Sequence, residues 1–123
     1  MDTRTRSFIE ATFPSVWALE LLLQVRRQPE RGFSREELVE LLRASDSVVM
    51  RSTEALIAAG VVVEEAGGSI RYAPASAAVD RKVAETEALY RTRPDAVRRL
   101  VVSASAGNLA AFADAFRLRG QSK

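Results

Sequence analysis

The stretch SVVMRSTEALIAAGVVVEEAGGSIRYAP, residues 47–74, decides the fold. Its first part has apolar residues at helical spacing and stops at Gly60, a residue suited to the left-handed position that ends many helices. VVVEE and SIRYA have strand character, and the glycines between them permit the positive φ angles of a tight turn. The stretch predicts a helix at about residues 46–59 and a β-hairpin at about residues 61–73.

Two further helices are predicted before this stretch. Ser15 directly precedes VWALELLLQVRRQ and is a candidate N-cap. Ser34, with Glu37 three residues later, forms a capping-box pattern before REELVELLRA. The first of these helices is apolar on more than one stripe, which predicts packing on two sides. SFIEATF, residues 7–13, predicts a short helical turn, and PERGF, residues 29–33, predicts a loop.

The C-terminal half, residues 75–123, predicts more helices, with a break at Arg93-Pro94 and a loop at SASAGN, residues 103–108. The last predicted helix, LAAFADAFRLR, has Leu109, Phe112 and Phe116 on one face. We expect a mainly α protein with a small β-hairpin. We expect residues 1–74 to form one domain and residues 75–123 to form a helical extension that packs on it or dimerises. The two parts are expected to make one compact unit.

Composition predicts a protein that is not an enzyme and holds no cofactor or metal. The chain has no cysteine and no histidine, so thiolate and imidazole ligands and the commonest general base are missing. No phosphate-binding glycine loop and no pair of acids set apart from helix surfaces is found. The longest apolar stretch, residues 16–25, is interrupted by Glu20 and Gln24 and is too short to span a bilayer. We expect a cytoplasmic protein.

Residues 15–74 carry a resemblance to a known superfamily. SVVMRSTEALIAAGVVVEE resembles the recognition helix and wing entry of bacterial winged helix-turn-helix regulators of the MarR and ArsR kind. Their pattern, Ser-x-Val-x-Arg-x-Leu-x-x-Leu-x-x-Ala-Gly-Leu-Val, is matched by Ser47, Val49, Arg51, Leu56, Ala59 and Gly60. Thr53 replaces the first leucine, and Val61-Val62 replaces Leu-Val. The resemblance implies a DNA-binding transcriptional regulator that forms a homodimer through its first helix and C-terminal helices, with residues 46–59 in the major groove.

The helix at 46–59 has one face for the core and one for a partner. Val49, Thr53, Leu56 and Ile57 share a face and are expected to be buried. The residues expected to contact double-stranded DNA are Arg35, Ser45, Ser47, Val48, Met50, Arg51 and Arg71. Arginine pairs with guanine edges, valine meets thymine methyl groups, and Arg71 in the hairpin lies beside the flanking backbone.

The charge of residues 15–74 leaves a second functional hypothesis open. Residues 15–74 contain seven arginines and nine acids, whereas phosphate neutralisation supplies much of the affinity for DNA. The alternative is a winged-helix adaptor that binds a protein and not DNA. A third hypothesis is a small apolar ligand held between the first helix and the tail, around Trp17 and Phe112. Otherwise Trp17, Phe112 and Phe116 are expected in the core or in an interface.

Overall fold

The computed structural model describes residues 2–106 of the chain. The first five helices are α1 (Thr3–Thr12), α2 (Val16–Arg26), α3 (Arg35–Leu42), α4 (Asp46–Ala58) and α5 (Ala77–Thr92). Two antiparallel strands, β1 (Val62–Glu64) and β2 (Ile70–Tyr72), lie between α4 and α5. A further helix, α6, covers residues 94–106. The predicted class, mainly α with a small hairpin, is confirmed in this part of the chain.

Serine side chains cap the first turns of α2 and α3. The Ala18 N–H donates to Ser15 Oγ at 3.2 Å. At α3, the Glu37 N–H donates to Ser34 Oγ at 3.1 Å and the Ser34 N–H donates to Glu37 Oε1 at 3.0 Å. Because the Glu37 carboxylate accepts this backbone bond and lies beside a guanidinium, the pKa of Glu37 is below its ordinary value. Both predicted caps are confirmed.

The hairpin follows the predicted turn chemistry. Val62 lies opposite Tyr72 in the antiparallel register. Gly67 and Gly68 each have a φ of +91°, a value that side chains with a Cβ rarely adopt. The short strands and the glycine turn therefore form a compact flap beside α4.

A third strand position was missed by the sequence reading. Phe33 forms an antiparallel bridge with Ile70, and the N–H of each residue donates to the carbonyl oxygen of the other at 2.8 Å. The prediction of a simple loop at residues 29–33 is therefore wrong at its last position. A single bridged residue has no alternation of apolar and polar neighbours, so periodicity could not reveal it.

Gly60 directs the chain from α4 into β1. Its φ is +75°, and a Cβ at this position would lie 3.3 Å from the Cβ of Ala75. The Gly60 N–H donates to the Ile57 carbonyl at 3.0 Å, and the Val61 N–H donates to the Leu56 carbonyl at 3.2 Å. These bonds satisfy the last carbonyls of α4, as expected for a glycine helix stop.

The core is built around α2, which packs on α3, α4 and β2, while α1 packs on α5. Most of the apolar side chains of α2 are fully buried inside this one chain, as its surplus of apolar residues predicted. The large buried side chains include Ile9, Phe13, Leu19, Leu21, Leu22, Phe33, Leu38 and Leu56. This core fixes α4 on one side of the molecule, with its other face outward.

Two helices differ in length from the prediction. Instead of a short turn, α1 is a helix of ten residues, and the Arg4 N–H donates to its N-cap, Asp2, at 3.2 Å. The break before Pro94 is confirmed, but α6 continues through residue 106, so the loop predicted from residue 103 is wrong over residues 103–106. Alanine and serine there are compatible with a helix whose inner side is anchored by buried Val101. The predicted helix containing Leu109, Phe112 and Phe116 lies outside the described residues.

No single helix among residues 2–106 has the length and apolarity needed to cross a membrane. The pair α1 and α2 would qualify by combined length and composition, but the two helices are bent by 103° at their junction.

Polar side chains hold α5 against the N-terminal half. We call three side-chain hydrogen bonds the α5 clasp: Arg26 to Glu87 at 2.5 Å, Tyr72 to Asp80 at 2.6 Å and Tyr90 to Glu20 at 2.5 Å. Arg26 lies in addition over the ring of Tyr72, 5.8 Å from its centroid. The clasp ties residues 77–92 to α2 and β2.

The clasp predicts an alkaline titration that can be measured directly. Burial, and then the hydrogen bond to Asp80, raise the pKa of Tyr72 from 10.0 to about 12. The folded state therefore holds this proton more tightly than the unfolded state. We expect its stabilising contribution to be complete below pH 10.0 and to be lost as the pH rises towards about 12.

Phenolate absorbance reports the titration, since the chain has two tyrosines. Tyr72→Phe should remove the step at a pKa of about 12, whereas Tyr90→Phe should leave it in place. A Tyr72 phenol that ionises at its ordinary pKa in the folded protein would contradict the buried contact with Asp80.

Candidate functional site

The site is the outward side of α4 together with the hairpin. The Val48 N–H donates to Ser45 Oγ at 3.2 Å, which starts α4. The inner face consists of the buried residues Val49, Ser52, Thr53 and Leu56. The outward face carries Ser47, Met50, Arg51 and Glu54, all exposed.

Ile57 is not on the buried face as predicted. Its side chain is 39% exposed. At 3.6 residues per turn, Ile57 lies about 80° around the helix from Val49, while Ser52 lies about 60° around on the opposite side. The core contacts α4 on the Ser52 side, so Ile57 falls at the outer edge. Ile57 therefore adds an apolar side chain to the outward surface.

A concave surface runs between α4, the start of α3 and the hairpin, and we call it the α4–hairpin groove. It has a volume of about 410 Å³. Its apolar lining includes Met50, Ile57 and the edge of Ile70, and its charged lining consists of Arg35, Glu36, Glu54 and Glu64. Met50 is 41% exposed, so this groove presents apolar and charged groups together.

Carboxylates dominate the charge of the groove. The guanidinium of Arg35, the only cationic lining residue within residues 2–106, lies 3.5 Å from Asp46 Oδ2. Among residues 2–106, no arginine or lysine nitrogen lies within 4.0 Å of the carboxylates of Glu36, Glu54 or Glu64. The groove therefore has a negative surface with one neutralised cation. The sequence analysis did not assign these acids to a site, although the acid excess of residues 15–74 was the available signal.

The predicted DNA contacts are divided between the outward face of α4, the groove and β2. Arg35 lines the groove, paired with Asp46. Arg71 is half-buried in β2, where its Nη2 lies 3.1 Å from Glu65 Oε1 and its buried Nε has no partner among the described atoms. These two predicted DNA contacts, Arg35 and Arg71, are therefore paired with neighbouring acids.

The remaining candidates lie at the start of α4 or beside a second concave surface. Ser45 is the N-cap, and Ser47 is exposed with its Oγ 3.4 Å from Ser45 Oγ. Half-buried Val48 and exposed Arg51 line a second concave surface with Trp17. Met50 is the one predicted contact besides Arg35 that lines the groove.

Trp17 is exposed, not in the core. Its side chain is 41% accessible, and that of Leu41 is 50% accessible. Both line a shallow surface together with Glu20, Arg27 and Arg98. We call this surface the Trp17 patch. Of the two places expected for Trp17, the core is wrong and an interface stays a prediction; its partner in the ligand hypothesis, Phe112, lies outside the described residues.

Comparison with known proteins gives no further assignment: no family model, no curated protein and no solved structure matches the chain. Within residues 2–106, no three acidic side chains come close enough together to hold a metal ion.

Proposed function

We propose that this protein is a winged-helix protein-interaction module whose α4–hairpin groove binds a partner segment that is both basic and apolar. The arrangement that supports a winged helix is α2, α3 and α4 followed by the hairpin, with Phe33 bridged to Ile70 as a minimal first strand. Such a fold supports more than one function, so the function is argued from the groove itself.

The observation that carries the proposal is the negative charge of the groove. DNA binding draws much of its affinity from neutralised phosphates. Glu36, Glu54 and Glu64 lie in the groove, where a recognition helix and wing would meet the duplex. Because charges interact over about 8 Å at physiological salt, these carboxylates repel phosphates placed there. Two of the predicted DNA contacts, Arg35 and Arg71, are already paired with acids.

The same groups suit a protein partner. Met50 and Ile57 supply exposed apolar area, and apolar side chains rimmed by charge are typical of protein-binding surfaces. Lysine or arginine side chains complement the three carboxylates and speed association. An amphipathic helix with one apolar and one basic side meets both requirements and is a common occupant of grooves.

A DNA-binding transcriptional regulator remains the second candidate. The observation in its favour is the exposure of Ser47, Met50 and Arg51 on the first half of α4, the part of a recognition helix that reaches base edges. In that reading the chain is a homodimer that places two copies of α4 on one duplex.

One binding experiment separates the two candidates. The full chain is titrated against a labelled amphipathic peptide of leucine and lysine, and against a labelled duplex at about 50 and 200 mM salt. We expect the peptide to bind, and Glu54→Gln/Glu64→Gln to weaken that binding about tenfold, since two ion pairs are lost. The control Glu30→Gln/Glu40→Gln changes two exposed acids outside the groove and should leave the affinity unchanged.

Binding of the labelled duplex would contradict the proposal. Salt-sensitive duplex binding that falls with Arg51→Ala would establish the regulator instead. Equal loss of peptide affinity in both glutamine variants would show non-specific attraction, and the groove would not be the site.

A further inference from the structure

We propose that residues 107–123 of this same chain are a built-in occupant of the α4–hairpin groove and compete there with the partner; the inference rests on the proposed function. The groove needs a segment that is basic and apolar. The end of this chain, GNLAAFADAFRLRGQSK, is such a segment.

The charge of the chain is divided in a way that supports this occupant. Residues 2–106 contain 15 cationic and 15 acidic side chains, so the part of the chain that the structure describes has no net charge. The whole formal charge of +2 therefore lies in residues 107–123, where Arg117, Arg119 and Lys123 outnumber Asp114. A net-positive end meets a groove whose carboxylates lack cationic partners among the described residues.

The apolar spacing of the same segment fits the groove as well. Leu109, Phe112 and Phe116 follow one another at intervals of three and four residues, the spacing that places side chains on one side of a helix. Met50 and Ile57 offer the matching apolar surface in the groove. Arg117 and Arg119 come directly after this stripe, so apolar and basic groups are adjacent in the segment as they are in the groove.

The Trp17 patch is the competing site on the described surface. It is apolar too, but its charged lining is Arg27, Arg98 and Glu20, and the Glu20 carboxylate accepts the hydroxyl of Tyr90 at 2.5 Å. A cationic segment is repelled by the two arginines, so charge favours the groove over the patch.

Chain length permits the contact within one molecule or between two copies. Ten positions separate residue 106 from Phe116, and they span at most about 35 Å when extended but only about 15 Å when helical. The extended span is close to the diameter of a domain of about 100 residues, whereas a helical segment reaches the groove only from a nearby point of attachment, in its own molecule or in a second copy. A tethered segment has an effective concentration in the millimolar range, so a partner must displace it to bind.

Disulfide trapping tests the placement in the full chain, which has no cysteine of its own. Ile57→Cys places a thiol in the groove and Ala113→Cys places one beside the apolar stripe. We expect this pair to oxidise at least about tenfold faster than a control pair of Ala88→Cys with Ala113→Cys, because the tether is the same in both pairs and only occupancy of the groove holds residue 113 beside residue 57. Ala88 is exposed on α5, away from the groove.

The products and a third pair decide between outcomes. A disulfide within one chain shows self-occupancy, and a disulfide-linked dimer shows occupancy of a second copy; either supports the proposal. Equal rates for the groove and Ala88 pairs overturn it, and so does faster oxidation of Leu41→Cys with Ala113→Cys, which would place the segment on the Trp17 patch.

The leucine–lysine peptide separates failure of this inference from failure of the proposed function. Arg117→Glu/Arg119→Glu should raise the affinity of the full chain for the peptide about tenfold, because the competitor is weakened. If the peptide binds the groove but this variant changes nothing, the built-in occupant is wrong and the interaction module stands. If the peptide binds neither protein in a Glu54- and Glu64-dependent manner, both proposals fall.

Discussion

Replacing Phe33 with alanine is expected to lower the free energy of unfolding by about 3–5 kcal/mol, the range measured for large aromatic side chains in cores. The Phe33 ring is fully buried, and the guanidinium of Arg31 lies over it, 4.3 Å from the ring centroid. Alanine retains the two backbone hydrogen bonds to Ile70 but leaves a cavity behind the hairpin. For a domain at the low end of ordinary stability, about 5 kcal/mol, this loss approaches the whole margin.

Urea denaturation of the full chain measures the effect, and Ile57→Ala is the matched control. Ile57 is an apolar residue of similar reach but is 39% exposed, so its truncation should cost less than about 1 kcal/mol. If Phe33→Ala costs no more than Ile57→Ala, the Phe33 ring does not anchor the hairpin.

Local signals explain what the sequence predicted well. The caps at Ser15 and Ser34 and the stop at Gly60 depend on residues within four positions of one another, so their pattern is legible in the chain. Phe33 could not be placed in the same way. Its bridge joins positions 37 residues apart, and a single bridged residue leaves no periodic trace.

The site was only partly predictable for a related reason. The face of α4 that holds Met50 and Arg51 followed from helical spacing, and the acid excess of residues 15–74 indicated the sign of the surface. The pairing of Arg71 with Glu65 and of Arg35 with Asp46 depends on how the chain folds. Because these pairs neutralise two arginines, the excess of acids is expressed as a negative groove. The sequence alone does not specify the pairs.

The α5 clasp predicts the second large effect. Glu87→Ala should lower the free energy of unfolding by about 2 kcal/mol, because it leaves a half-buried guanidinium without its carboxylate partner. The side chains of Arg26 and Glu87 are each only 23% exposed. Solvent screening is therefore reduced but present, and the expected loss lies below that of a fully buried pair. Asp95→Ala is the control, since the pair of Asp95 with Arg98 is 82% exposed on the acid side and should contribute less than about 0.5 kcal/mol.

A double-mutant cycle with Arg26→Ala isolates the interaction, and its coupling energy should be about 1–2 kcal/mol. Equal losses for Glu87→Ala and Asp95→Ala would mean that α5 is not held by the clasp.

The Glu87→Ala variant also separates stability from binding. Since α4 packs mainly on α2, α3 and β1, Glu87→Ala should leave the affinity of the α4–hairpin groove for the leucine–lysine peptide unchanged under conditions where the protein is folded. A loss of peptide affinity in this variant would show that the clasp positions the groove, and the binding surface would then have to include α5.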